Sequence, residues 1–387
     1  MIRTRPQTTA RGLTFVVGVL VALGVILIYS SSSVLMLNKA QDPTRFLRKQ
    51  LLFVVLAGSS FALARHTRLT TLRRHAWSLL GVTALLLVAV LIPGIGRRVN
   101  GASRWIPLGG FNMQPSELAK LGLPLFLAAY CSGRREALGT LKGALPALGA
   151  IAGVVGLIAI EPDMGTAMLV GCVSVAILLA AGVKLRHLLL CAVPGLMGLF
   201  VFALTKLDYI WRRIHAFMDP AGNDVAYQTN QSVIAIGSGG LFGVGLGASE
   251  QKRAFLPELH TDFIFALVGE ELGFCGGLFV IGCFAALIVL GMRAVERAHD
   301  QFSMLLGQGI LLVLGIQSLL NLAVATQSIP PKGIALPFLS YGGSSLISCA
   351  AAMGILVRIA AQGRPEAPGA EPAASEAPDS APAPALA

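Results

Sequence analysis

The chain has 387 residues, of which 55% are hydrophobic and only 13% are charged. A soluble globular domain carries about 25% charged residues, so this composition excludes that class and predicts an integral membrane protein. The net charge of +11 is no indication of nucleic-acid binding, because basic residues of membrane proteins first serve topology and contacts with anionic lipids.

Apolar runs near 20 residues long predict an all-α membrane protein with about ten transmembrane helices. The first run lacks a convincing small-residue cleavage site, so we expect it to be retained. The eighth run exceeds the bilayer thickness and must tilt, extend out of the lipid or bend near Gly273, Gly276 and Gly277. The predicted spans are 12–33, 46–64, 76–94, 116–131, 143–160, 165–182, 187–206, 262–291, 302–325 and 341–361.

Three segments are expected: a cytoplasmic amino-terminal arm at 1–11, a polytopic membrane domain at 12–362 and a Pro/Ala-rich tail at 363–387. The tail has no aromatic residue and is expected to be disordered. The bias of Lys and Arg in short loops predicts that both termini are cytoplasmic. The opposite loops also carry positive charges, which suggests that they bind an anion outside. These are Lys39, Arg45, Arg48, Lys49, Arg97, Arg98, Arg104 and Lys332.

Two polar clusters are predicted to face outward before and at the start of the fourth span. The loop 96–110 contains Arg98 and Arg104; Arg suits diphosphate by bidentate hydrogen bonding, although an ordinary interfacial anchor loop is an equal alternative. In the segment 114–120, Glu117 and Lys120 are three residues apart on one helical face, which favours a structural ion pair beside the cavity.

The longest connection, from about 207 to 261, is a large extracytoplasmic loop between the seventh and eighth spans. It carries the basic residues Arg212 and Arg213 and a Gly-rich stretch at 237–247. Such a stretch can cradle phosphate through its backbone N–H groups, but without a Lys-Ser/Thr ending a flexible or re-entrant loop is favoured.

This loop ends in His260 and Asp262, where the eighth span begins. A carboxylate at a helix mouth is either functional or a plain helix N-terminal residue favoured by the dipole. Glu270 and Glu271 lie further along the same span, where carboxylates are expensive and need partners. Their position away from the basic loops favours structural or gating roles.

The segment 328–345 contains three prolines and is also predicted to face outward, with Lys332 and Ser340 as polar groups. Irregular backbone at membrane depth is tolerated where it is buried in protein or lines a wet cavity. The four clusters together predict an outward cavity that contains basic residues, a carboxylate and a hydrophobic body. Such a cavity suits a lipid whose anionic polar head leaves the bilayer. The six histidines and six cysteines show no metal-ligand or disulfide spacing.

Several motifs in order, from about residue 97 to 345, resemble the SEDS (shape, elongation, division, sporulation) family of bacterial cell-wall proteins. They are VNGASRWIPLG, QPSELAK, EPDMGTA, YQTNQS, LPELHTDFIFA and LPFLSYGGSS. The segments EPD, VGEELG and PKG are closer to the division branch than to the elongation branch. The resemblance implies a SEDS-type fold and a peptidoglycan glycosyltransferase that polymerises lipid II at the outer face of the bacterial cytoplasmic membrane.

The resemblance implies that the essential aspartate of the family is Asp262 and that the ion pair of its fourth helix is Glu117 with Lys120. Asp262 would take the proton of the acceptor hydroxyl, and positively charged Arg or Lys side chains would stabilise the departing diphosphate. A divalent cation, Mg²⁺ or Mn²⁺, is compatible with this chemistry, though no ligand set is visible. The candidate substrate-binding residues are Arg98, Arg104, Lys332, His260, Arg212, Arg213 and Ser340.

The expected partners are lipid II, membrane lipids, a class B penicillin-binding protein that crosslinks the strands, and other division or elongation proteins. Two further functions stay open on the residues alone. A lipid II flippase is compatible with ten helices and with the intramembrane glutamates. A non-catalytic division scaffold would require partner binding but not Asp262.

Overall fold

The computed structural model describes residues 6–38, 42–99, 102–190, 224–253, 260–330 and 333–363. This part of the chain is predominantly helical, as expected from its apolar runs. The helices are α1 (Pro6–Asn38), α2 (Arg45–His66), α3 (Leu69–Arg74), α4 (Ala76–Leu91), α5 (Pro115–Cys131), α6 (Arg135–Leu138), α7 (Leu141–Ile160), α8 (Met164–Ala181), α9 (Asp224–Ser238), α10 (Ile264–Glu296), α11 (Gln301–Ala325) and α12 (Gly343–Gln362).

Seven of these helices are long and apolar enough to cross a membrane, namely α1, α2, α7, α8, α10, α11 and α12. The shorter α4 is also apolar. Nine of the ten apolar runs found in the sequence coincide with a helix, and the run at 187–206 lies mostly outside the described residues. The protein is therefore a multi-pass helical membrane protein.

The described part of the predicted amino-terminal arm, residues 6–11, is helical and continuous with the first span in α1. Its first five residues lie outside the described residues. All but the first residue of the predicted tail at 363–387 lies outside the described residues.

The helix α5 lies at the centre of the molecule and is buried along most of its length. It packs against α4, α7, α8, α11 and α12. Polar side chains on α5 therefore face protein rather than lipid, and Glu117 and Lys120 are only 7% and 6% exposed.

The helices α2 and α12 pack closely along their length because glycines of α12 leave room for α2. A Cβ added at Gly354 would lie 2.4 Å from the carbonyl oxygen of Phe61, and one at Gly343 would lie 2.6 Å from the ring of Phe53. Large apolar side chains on other parts of α2, such as Leu63, stay exposed, as expected for a surface in contact with lipid.

The helix α10 is broken at Gly273, where φ is 69° and ψ is −166°. Of the three alternatives that the sequence left open for the long eighth run, the structure shows a bend, and it lies at the first of the three glycines. Only glycine adopts this combination of dihedral angles readily. The chain therefore forms a short buried helix next to Asp262 and a longer helix beyond the break.

The loop before α5 folds as a small antiparallel sheet that the sequence did not predict. Its strands are β1 (Arg97–Val99), β2 (Ala102–Leu108) and β3 (Phe111–Met113), in the order β1-β2-β3. The turn between β2 and β3 uses Gly109 and Gly110, both with positive φ. The long loop before α10 likewise contains α9 and a 3-10 turn at Gln251–Arg253.

Candidate active site

Asp262 lies in the turn that enters α10, and α11 fixes its backbone. Asn321 of α11 donates hydrogen bonds from Nδ2 to the carbonyls of Asp262 and Ile334, both at 2.8 Å. A Cβ added at Gly333 would lie 3.3 Å from Asp262 Oδ2. The segment 333–341, here named the covering loop, therefore runs directly beside the carboxylate.

The covering loop is bonded to the turn at two further points. Ser340 donates through Oγ to the carbonyl of Thr261 at 2.5 Å and accepts from the backbone N–H of Leu336 at 2.8 Å. The backbone N–H of Tyr341 donates to the carbonyl of His260 at 2.9 Å. The predicted site residues His260, Asp262 and Ser340 thus lie together, and their backbone positions depend on one another.

An aromatic cluster borders this turn. The ring of Phe46 lies 5.2 Å from the ring of His260 and 5.1 Å from that of Tyr341, and His260 and Tyr341 are 5.7 Å apart. Burial raises the pKa of Tyr341, while nearby Arg45 opposes that shift. Phe46 and Arg45 begin α2, so the first turn of that helix forms one wall of the site.

Glu117 and Lys120 form a buried ion pair with an N–O distance of 2.7 Å. Lys120 also donates to Gln317 Oε1 at 2.8 Å, and Gln317 donates from Nε2 to the carbonyl of Ala335 at 2.7 Å. Ser348 donates through Oγ to Glu117 Oε2 at 3.2 Å. The ion pair is thereby connected to the covering loop through Gln317. Gln317 lies four residues before Asn321 on α11.

Gln317 and Asn321 were not recognised as site residues in the sequence. Both are buried amides in the apolar run that forms α11, and their spacing of four places them on one helical face. That pattern was visible beforehand. Their role was not, because the carbonyls that they bind come from distant parts of the chain.

The predicted basic ligands are spread over several elements. Arg98 is an exposed residue of β1. Arg104 of β2 donates from Nε to the carbonyl of Glu161 at 3.1 Å and through its terminal nitrogen to the carbonyl of Pro162, so it ties the sheet to the turn between α7 and α8. Three other candidates lie outside the described residues, namely Lys332, Arg212 and Arg213.

The turn between α7 and α8 holds two buried carboxylates. Asp163 caps α8 by accepting from the N–H of Thr166 at 3.2 Å, and it accepts from Gln114 Nε2 at 3.1 Å. Glu161 is 0% exposed, and neither of its carboxylate oxygens has a hydrogen-bond partner among the described residues. Burial and, to a lesser extent, the negative charge of Asp163 raise the pKa of Glu161 to about 8, while the positive charge of Arg104 partly opposes this shift. In the sequence the segment EPD was used as a family motif, but Glu161 was not singled out as a buried carboxyl group.

Glu270 binds the loop that precedes Asp262. Its carboxylate accepts from Ser249 Oγ at 2.5 Å and from the backbone N–H groups of Glu250 at 2.8 Å and Gln251 at 3.4 Å. The chain therefore returns onto α10 just before the turn that carries Asp262, and this carboxylate holds it there.

Glu271 bonds to a different helix. Its Oε1 accepts from Ser30 Oγ of α1 at 2.5 Å and lies 3.4 Å from Lys252 Nζ. Glu271 is 1% exposed and Lys252 is 6% exposed, so the pair is buried. Both glutamates thus have the structural bonding that the sequence analysis favoured over chemistry.

The Gly-rich stretch packs on the break in α10. The N–H groups of Val244 and Gly245 donate to the carbonyls of Glu270 and Glu271 at 2.9 and 3.1 Å, and the N–H of Phe274 donates to the carbonyl of Gly240 at 2.9 Å. These bonds satisfy the groups that the break leaves without helical partners. The stretch is thus part of the protein core around Gly273, and these amides are not free to cradle phosphate.

Within the described ranges, no three His, Cys, Asp or Glu side chains converge on a point where a metal ion would bind.

A sequence profile for the cell cycle protein family FtsW/RodA/SpoVE matches residues 11–364. The chain belongs to this family. It is 40% identical over 353 residues to the probable peptidoglycan glycosyltransferase FtsW of Trichlorobacter lovleyi, covering 90% of this chain and 92% of the relative. It is 37% identical over 348 residues to the stage V sporulation protein E of Bacillus subtilis, covering 89% and 95%.

Solved structures of family members show the same fold. A chain from a peptidoglycan synthase complex, described as coordinating polymerisation and crosslinking, superposes with a TM-score of 0.71 at 32% identity, covering 90% of this chain and 96% of that one. The rod shape determining protein RodA of Thermus thermophilus gives a TM-score of 0.66 at 32% identity, covering 90% and 95%. The expected SEDS-type fold is confirmed, and the protein is a family glycosyltransferase of cell-wall synthesis.

Proposed function

We propose that this protein polymerises lipid II into glycan strands during cell division, with Asp262 as the catalytic base. The observation that carries the proposal is the placement of Asp262. Its carboxylate lies at the entrance of a broken helix, beside irregular backbone, and the turn that bears it is bonded to α11 and to the covering loop. Irregular backbone of this kind in a membrane protein is typical of a cavity that admits a polar group.

The reaction is a single displacement. The Asp262 carboxylate takes the proton of the acceptor GlcNAc 4-hydroxyl as that oxygen bonds to the anomeric carbon of the donor MurNAc. The bond from this carbon to the diphosphate oxygen breaks, and its electron pair leaves with undecaprenyl diphosphate. The α-linked donor becomes a β-1,4-linked product by inversion. Asp262 is half-buried, which suits a base that must meet a substrate and then return its proton to water.

Positive charge is needed where the diphosphate departs. The proposed ligands are Arg98, Arg104 and Lys332, with Arg212 and Arg213 of the long loop. The bonds of Arg104 to the turn at 161–162 leave one terminal nitrogen of its guanidinium without a bond to that turn. Arg104 is therefore proposed to present a positionally fixed positive charge to the diphosphate. His260 and Ser340 are proposed to contact substrate beside Asp262.

Orientation and partner follow from the same proposal. Asp262 faces outward and both termini lie in the cytoplasm, in agreement with the Lys and Arg bias of the short connections. A class B penicillin-binding protein is the proposed partner, since a structural relative comes from a complex that combines polymerisation with crosslinking.

The experiment is a lipid II polymerisation assay with purified protein and its partner, comparing wild type with Asp262→Asn. Loss of a positioned base lowers the rate by about 10²- to 10⁴-fold. Full polymerisation by Asp262→Asn would show that another group is the base. If lipid II crossed liposome membranes without any glycan product, the flippase alternative would replace this proposal.

A further inference from the structure

A cavity lies at the end of α2 and α12 that is opposite the turn carrying Asp262. It has a volume of about 490 Å³ and is lined by the start of α1, the end of α2 and the end of α12. The turn that carries Asp262 lies at the other end of α2 and α12, where His260 of that turn and Tyr341, just before α12, contact Phe46 at the start of α2. The cavity is therefore distinct from the candidate active site.

The charge of the cavity is positive. It is lined by Arg11 and Arg65, which come from two different helices, and no acidic side chain of the described residues lines it. Neither guanidinium forms a hydrogen bond or ion pair within the described part of the chain. Gln7, in the first turn of α1, also lines it, and the amino terminus of a helix favours an anion.

The cavity also has an apolar side. Phe15 lines it and is 72% exposed, and it follows Arg11 by four residues, so the two share a face of α1. Thr14 also lines the cavity. Its hydroxyl donates to the carbonyl of Ala10, so only the acceptor lone pairs of Thr14 Oγ1 are left for a ligand. A ligand that fills this space has an anionic head next to an apolar body.

We propose that this cavity binds the headgroup of an anionic glycerophospholipid, with Arg11 and Arg65 on the phosphate and Phe15 against an acyl chain. Arginine matches phosphate oxygens bidentately. Basic pockets between transmembrane helices on the cytoplasmic side are suited to acidic lipid heads. In the proposed orientation the cavity opens to the inner leaflet. Lipid binding itself is independent of the proposed catalysis.

The test is native mass spectrometry of delipidated, detergent-purified protein titrated with phosphatidylglycerol or with phosphatidylcholine of the same acyl chains. Wild type is expected to prefer phosphatidylglycerol. Arg11→Gln with Arg65→Gln lowers that affinity about 10-fold or more, because charge-assisted hydrogen bonds are lost. The matched control removes two exposed charges elsewhere, Arg74→Gln with Arg186→Gln, and leaves the affinity within about 2-fold.

Further arms separate the lipid from a free phosphate and from misfolding. Inorganic phosphate is expected not to displace phosphatidylglycerol, and Phe15→Ala should weaken lipid binding several-fold. Arg11→Lys with Arg65→Lys keeps the positive charges but loses the bidentate geometry of the guanidinium groups, so this variant should bind phosphatidylglycerol with intermediate affinity. Equal losses in both Gln double variants, no preference between the two lipids, or displacement by inorganic phosphate would overturn the proposal. Polymerisation of lipid II by the Gln double variant is measured separately. Failure of the lipid-binding proposal can therefore be distinguished from failure of the proposed function.

Discussion

Lys120 connects the centre of the protein to the loop beside Asp262. It bonds to Glu117 and to Gln317, and Gln317 holds the carbonyl of Ala335. Lys120→Met removes the charge but keeps the volume of the side chain, which leaves Glu117 buried and unpaired. Breaking one side of a buried pair costs about 3–5 kcal/mol. We expect a lower unfolding temperature in detergent, measured by intrinsic fluorescence, together with a loss of polymerisation.

The double variant Glu117→Gln with Lys120→Met separates stability from positioning. It removes both buried charges, so most of the stability should return. Gln317 still lacks the bond from Lys120, so the covering loop stays poorly fixed and turnover should remain low. Full recovery of both stability and turnover would show that the pair acts only in folding.

Among the elements, α10 holds the loop that precedes Asp262, because the Gly-rich stretch of this loop packs on the break at Gly273. Gly273→Ala would put a Cβ 2.3 Å from the N–H nitrogen of Gly243, at a φ of +69°. Strained backbone costs about 1–3 kcal/mol, and the overlap with the Gly-rich stretch adds to it. We expect Gly273→Ala to lower the unfolding temperature sharply. The control is Gly277→Ala in the same helix, whose Cβ would make an ordinary 3.5 Å contact with the ring of Phe265.

At the scale of the molecule, the helices were predictable because lipid demands long apolar runs with internal backbone bonds. The length and the glycines of the run that forms α10 left a bend as one of three alternatives, and they did not indicate which glycine would form it. The sheet at 97–113 was not, since its strands are short and show no clear alternation. The position of Asp262 at a helix mouth was evident. Its fixing by Asn321 and Ser340 was not, because those contacts join distant segments.

The two ends of the molecule differ in chemistry, and this difference predicts its orientation. One end carries Asp262, the aromatic cluster and the sheet. Phe53 joins the sheet to the cluster, since its ring lies 6.1 Å from that of Phe111 in β3 and 6.2 Å from that of Tyr341. The other end carries most of the Lys and Arg residues of the short connections, among them Arg68, together with the cavity at Arg11, whereas fewer lie at the Asp262 end. Positive residues are retained in the cytoplasm, so we expect the Asp262 end to face outward.

The expectation is tested by single cysteines in a background without the six native ones. Asn112→Cys, exposed on β3, should react with a membrane-impermeant maleimide in intact spheroplasts. Arg68→Cys, exposed in the connection after α2, should react only after lysis. The reverse pattern would place Asp262 in the cytoplasm, where lipid II polymerisation into the wall is impossible, and would remove the basis of the proposed function. Labelling of both positions in intact cells would point to leaky spheroplasts, which a cytosolic marker enzyme detects.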